Sequence, residues 1–112
     1  MNELNEYKID FIELISSTQE NIKNLEIIVE NWKVIKDRNK ALYDKSVKRF
    51  EQKSIAPNRA AMDSCQEFLS HSNKEWAHAM ELKNRLGETV ANIEKMLAPL
   101  LEIDNETIEV TN

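Results

Sequence analysis

The sequence predicts an all-α protein: two long antiparallel helices forming a coiled-coil-like helical hairpin that assembles further into a four-helix bundle. Three observations carry this expectation. The 112 residues include one glycine and two prolines, so the chain has few places to turn. Apolar residues recur at steps of three, four and seven along both halves. The only strong punctuation near the middle is the segment SIAPNRA around Pro57.

The first helix is expected over about 2–53, with an apolar seam at Leu4, Phe11, Ile15, Ile22, Leu25, Val29 and Trp32, continuing through Ile35, Leu42, Tyr43, Val47 and Phe50. A turn follows at about 54–57, where proline suits the first turn of the next helix and Ser54 or Asn58 could cap it. The second helix, over about 57–98, carries the seam through Met62, Cys65, Leu69, Trp76, Met80, Leu86, Val90, Ile93, Leu97 and Leu100. Weaker breaks compete. Ser17 with Glu20 and Ser72 with Glu75 both spell a capping box, and Gly87 could end a helix, which would turn the hairpin into a three- or four-helix bundle. The seam runs through all three places in phase, which favours unbroken helices. The stretch 99–112 loses the period and is acidic, so it is expected to fray or stay mobile.

Folding about residues 55 and 56 makes the numbers of facing residues add up to about 111. Trp32 then faces Ala79, flanked by Trp76 and Met80; Leu25 faces Leu86, Phe11 faces Leu100 and Leu42 faces Leu69. Asn39 meets Ser72 in one polar layer, a device that fixes register at some cost in stability, or else it faces water.

Both histidines gather around a glutamate in SHSNKEWAHAM, as His71, Glu75 and His78. At about 100° per residue the three share a face more than 100° from the seam, so they point to solvent. The two histidines also lie about 10 Å apart along the axis, too far to bind one zinc at about 2 Å. Glu75 and His78 spell the ExxH spacing of di-iron bundles, but there is no second copy and the face is wrong. One glycine cannot build a phosphate-cradling loop. Cys65, the only cysteine, sits in the seam and reads as a small core residue, which fits a reducing compartment. No signal-peptide pattern or membrane-length apolar run is present, so a cytoplasmic, non-enzymatic protein without cofactor or metal is expected.

Charge distribution says more than any motif. Residues 1–32 hold seven acids and two bases, a net of −5; residues 33–53 hold eight bases and three acids, a net of +5; residues 54–112 hold ten acids and five bases, again −5. Complementing the first helix's macrodipole would need bases only in the terminal turn, whereas this basic block spans several. It is therefore expected to dock an acidic surface. A second apolar feature supports partner binding. Ile9, Ile27, Val34 and Ala41 form a line nearly opposite the main seam of the first helix, and Phe68, Leu82 and Met96 flank the seam of the second. A hairpin leaves both lines in water unless a partner covers them.

The expected function is a helical protein–protein interaction module of adaptor, chaperone or inhibitor type, homodimeric or bound to another protein with an acidic surface. The expected partner-binding residues are Ile27, Val34, Lys36, Arg38, Lys40, Lys45, Lys48 and Arg49. The alternative is an anion-binding module that uses the basic half on nucleic acid or anionic lipid. The overall net of −5 and the presence of only two arginines in the block argue against it.

Overall fold

A computed structural model of the chain describes residues 3–103 and shows an all-α hairpin of two long helices, α1 over Glu3–Gln52 and α2 over Ala56–Glu102. Neither helix breaks at Ser17, Ser72 or Gly87. α1 contains no glycine or proline, opens on Glu3 and Glu6 and closes on Arg49, charges that complement the helix dipole at each end.

The connection is three residues, Lys53–Ile55, one shorter than expected and shifted towards α1. Both side chains expected to cap α2 serve the end of α1 instead. Ser54 Oγ donates to the Phe50 carbonyl at 2.9 Å, and Asn58 Nδ2 donates to the Lys53 carbonyl at 2.8 Å and more weakly to that of Arg49 at 3.4 Å. The last carbonyls of a helix have no partner within it, so a donor reaching back from the first turn of α2 closes that end and the turn together. Pro57 occupies the first turn of α2, where its missing N–H costs nothing.

Burial follows a stricter period than the eye picks from the apolar letters. From Phe11 to Phe50 the half-buried and buried residues include an unbroken series with alternating steps of four and three, through Lys36, Asn39, Tyr43 and Ser46. A matching series on α2 runs from Asn58 to Leu100. Alternating steps of four and three are the spacing at which one helix keeps a single stripe towards a neighbour. Two expected seam residues are corrected by it: Ile35 and Leu42 are exposed, because Lys36 and Tyr43 hold the seam positions next to them. Leu69 accordingly remains half-buried without Leu42 as its seam neighbour.

The chain divides into two compact units. The unit Leu25–Leu82 contains the turn. Of the two alternatives for Asn39, the polar layer is the one formed: Asn39 Nδ2 donates to Ser72 Oγ and to the Phe68 carbonyl, each at 3.2 Å, and Ser72 Oγ donates to the Leu69 carbonyl at 3.0 Å. Ser72 is 1% exposed, so these bonds are what make its burial tolerable. The layer fixes the register near the expected one. One turn further from the connection, the Lys36 ammonium lies 4.5 Å from the centre of the Trp76 ring, and Trp32 meets His71 in a T-shaped contact with ring centres 5.9 Å apart.

The other unit combines Met1–Asn24 with Lys83–Asn112. Its core is Val90, Ile93 and Leu97, with half-buried Phe11, Ile15, Ile22 and Leu100. Thr18 is buried too, and its hydroxyl donates to the Leu14 carbonyl at 2.8 Å, satisfying the polar group within its own helix. α2 runs on through Pro99 to Glu102, four residues past its expected end. Pro99 is exposed, and its seam neighbours Leu97 and Leu100 hold the last turn in place although one backbone bond is lost. Residues 104–112, on which the rest of the expected mobile tail falls, lie outside the described residues.

Gly87 is an exposed helical residue with negative φ, and a methyl group added to it would touch nothing within 4 Å. Gly87→Ala should therefore raise stability by about 1 kcal/mol, measured by urea denaturation. A destabilised variant would mean that some contact at this position depends on the bare backbone.

Candidate partner-binding surface

The side chains that matter are the apolar ones the hairpin leaves in water. In the unit Leu25–Leu82, Ile28, Ile35 and Leu42 each lie one residue before a seam position, and all three are exposed. Ile27, Val34 and Ala41 lie one residue earlier still and are also exposed. The two lines form heptad-spaced doublets, Ile27–Ile28, Val34–Ile35 and Ala41–Leu42. Exposure reaches 61% at Ile27 and 54% at Leu42, more than a core-facing aliphatic would show.

The register sets which residues of α2 stand beside them. With Asn39 opposite Ser72, positions one before the seam fall on the same side of both helices, so Leu42 lies beside Phe68 and Ile28 beside Leu82. Phe68 is 59% exposed, and Leu82 is exposed as well. The opposite side of this unit carries Lys33, Lys40, Gln66 and Asn73 at the flanking positions, with half-buried Val47 and Met80 continuing the two lines. The first side is the more apolar of the two, with Glu75 standing between Phe68 and Leu82 on α2. The unit that combines Met1–Asn24 with Lys83–Asn112 has its own exposed pair in the same pattern, Leu14 and Met96.

Of the expected partner-binding residues, Ile27 and Val34 lie on the apolar lines. Arg38 and Lys45 are exposed at positions between the two lines, and Lys48 and Arg49 continue them towards the turn. Lys45 and Arg49 also line a cleft of about 100 Å³ with Leu42, Ser46, Asn58 and Cys65. Lys40 pairs with Asp44 at 3.5 Å across one helical turn, both side chains largely exposed, which contributes a few tenths of a kcal/mol. Lys36 stands apart. It is half-buried in the seam over Trp76, so it works inside the hairpin rather than on the surface.

Sequence reasoning found the Ile27, Val34 and Ala41 line and missed the one beside it, because Ile35 and Leu42 look like seam residues when apolar letters alone are counted. Counting strict steps of four and three, and accepting Lys36 and Asn39 as seam residues, would have separated them.

His71 and His78 are exposed as expected, but Glu75 is half-buried rather than on a shared solvent face, because it lies one residue before the seam residue Trp76; no cluster of three or more His, Cys, Asp or Glu side chains able to hold a metal occurs among the described residues. His78→Ala should change stability by less than about 0.5 kcal/mol and His71→Ala by up to about 1 kcal/mol, the difference being the ring contact with Trp32. Chemical denaturation of the two variants reads this directly, and a loss of several kcal/mol at either would mean a buried or ligated imidazole.

No helix among the described residues is long and apolar enough to cross a membrane. Comparisons with protein-family models, curated proteins and solved structures found no match to this chain. The fold and its surface define the class by themselves: a two-helix hairpin with exposed aliphatic residues at heptad spacing on one side, beside a run of basic residues.

Proposed function

We propose that this chain is a non-enzymatic helical interaction module that works as a homodimer, using the apolar side of the hairpin and the basic residues beside it. The observation that carries the reading is the coincidence of exposed aliphatic doublets on α1 with exposed Phe68 and Leu82 beside them on α2. Scattered surface aliphatics are ordinary, but a heptad-spaced set on one side of a hairpin is the kind of surface that helix bundles bury. The seam explains why a second neighbour is needed. Polar and charged side chains take up several of its positions, as at Lys36, Asn39, Ser46 and Ser72, so α1 and α2 bury less apolar surface between them than an all-aliphatic seam would.

The basic residues tune this association. Light scattering on eluting protein should show the wild type as a dimer whose affinity falls as salt is raised. Lys45→Glu with Lys48→Glu should weaken the dimer at low salt and differ little from wild type at high salt. A wild-type protein that elutes as a monomer at every concentration would sink the reading.

A further inference from the structure

We infer that the second copy docks with its own α1 antiparallel to the first, about a two-fold axis at Val34 and Ile35. This rests on the homodimer reading and specifies its geometry. A two-fold interface is self-complementary: if residue i of one copy meets residue j of the other, then j meets i. The outer lines of α1 have that property in one register. Along the first, Glu20 precedes Ile27, Val34 and Ala41, and Lys48 follows. Reversing this line on itself about Val34 sets Ile27 against Ala41 of the second copy and Glu20 against its Lys48. The second line, reversed about Ile35, sets Ile28 against Leu42. Along both lines apolar residues then meet apolar residues and Glu20 meets Lys48 at each end of the first, while Arg38 and Lys45, between the lines, come opposite Asn31 and Asn24 of the second copy.

Sliding the copies by one heptad either way leaves an aliphatic side chain facing a charge, so the register is selected and not merely allowed. Glu20 and Lys48 are both exposed and available for this contact. The pairing also accounts for the charge order of α1, acidic early and basic late over several turns, which a helix dipole alone does not explain. Phe68 and Leu82, beside Leu42 and Ile28 on the hairpin, extend the apolar contact on both copies equally, with Glu75 beside Ile35 between them.

Cysteine cross-linking with a short bis-maleimide tests this, in a Cys65→Ser chain. A mixture of Ile27→Cys and Ala41→Cys proteins should yield a cross-linked dimer. Ile27→Cys alone should not, because its two copies would lie about 21 Å apart along the axis. Charge reversal gives an independent reading that leaves the core untouched. Glu20→Lys or Lys48→Glu alone should weaken the dimer about tenfold at low salt, and the two together should restore it. Self-linking of Ile27→Cys, or a double reversal that stays as weak as the single ones, overturns this register while a dimer by sedimentation leaves the homodimer standing. A protein that sediments as a monomer overturns both.

Discussion

Replacing Ile27 and Val34 together with lysine should turn the dimer into a monomer that keeps its helices. Both side chains are exposed on the hairpin itself, so the variant loses no packing between α1 and α2. In the dimer, the change puts ammonium groups into an apolar contact where they have no partner, at a cost of several kcal/mol each when fully desolvated. The favourable side is of similar size. Covering the exposed half of a large aliphatic side chain gains about 1 kcal/mol, so the doublets of two copies gather on the order of 10 kcal/mol. Association itself costs about 4–15 kcal/mol. Two buried lysines per copy are enough to reverse that balance. Circular dichroism should show helicity close to wild type, with a lower and concentration-independent melting temperature. Elution and melting identical to wild type would mean these two residues face water in solution.

Trp76→Ala should cost about 3 kcal/mol at fixed protein concentration, the largest loss expected from any single truncation in the seam. The ring is half-buried, its Nε1 is fully enclosed without a protein acceptor, and its face carries the Lys36 ammonium at 4.5 Å. Removing it deletes packing and also strands Lys36 at a seam position. A double-mutant cycle with Lys36→Ala isolates the second effect, and a coupling of about 1 kcal/mol is expected from an ammonium over an indole. Strict additivity would mean that the charge contributes nothing there and that Lys36 is held by its aliphatic stem alone.

Architecture was legible from the sequence because so little in it can interrupt a helix. One glycine, one central proline and an in-phase seam left a hairpin as the simple solution, and the Asn39 with Ser72 layer followed from the position of the turn. The misreadings share a physical cause. A seam was assumed to prefer apolar residues, so Ile35 and Leu42 were placed in it; the actual seam tolerates Lys36 because its long stem reaches Trp76, and Asn39 because Ser72 and the Phe68 carbonyl accept its protons. Asn58 was read as capping its own helix, and its role became visible only when the turn brought the last carbonyls of α1 within reach. Pro99 was read as a stop, yet a helix anchored by Leu97 and Leu100 continues through it for the rest of a turn. The candidate surface was half legible: periodicity of the apolar letters revealed one line, and the second needed Lys36 and Asn39 to be accepted as seam residues.

Sedimentation equilibrium of the unmodified chain at tens of micromolar tests the central claim most directly, since an apolar side covered by a second copy requires twice the 13.1 kDa of one chain. The account predicts that dimer mass, with a monomer fraction that grows on dilution. A mass of one chain throughout the concentration range would contradict it.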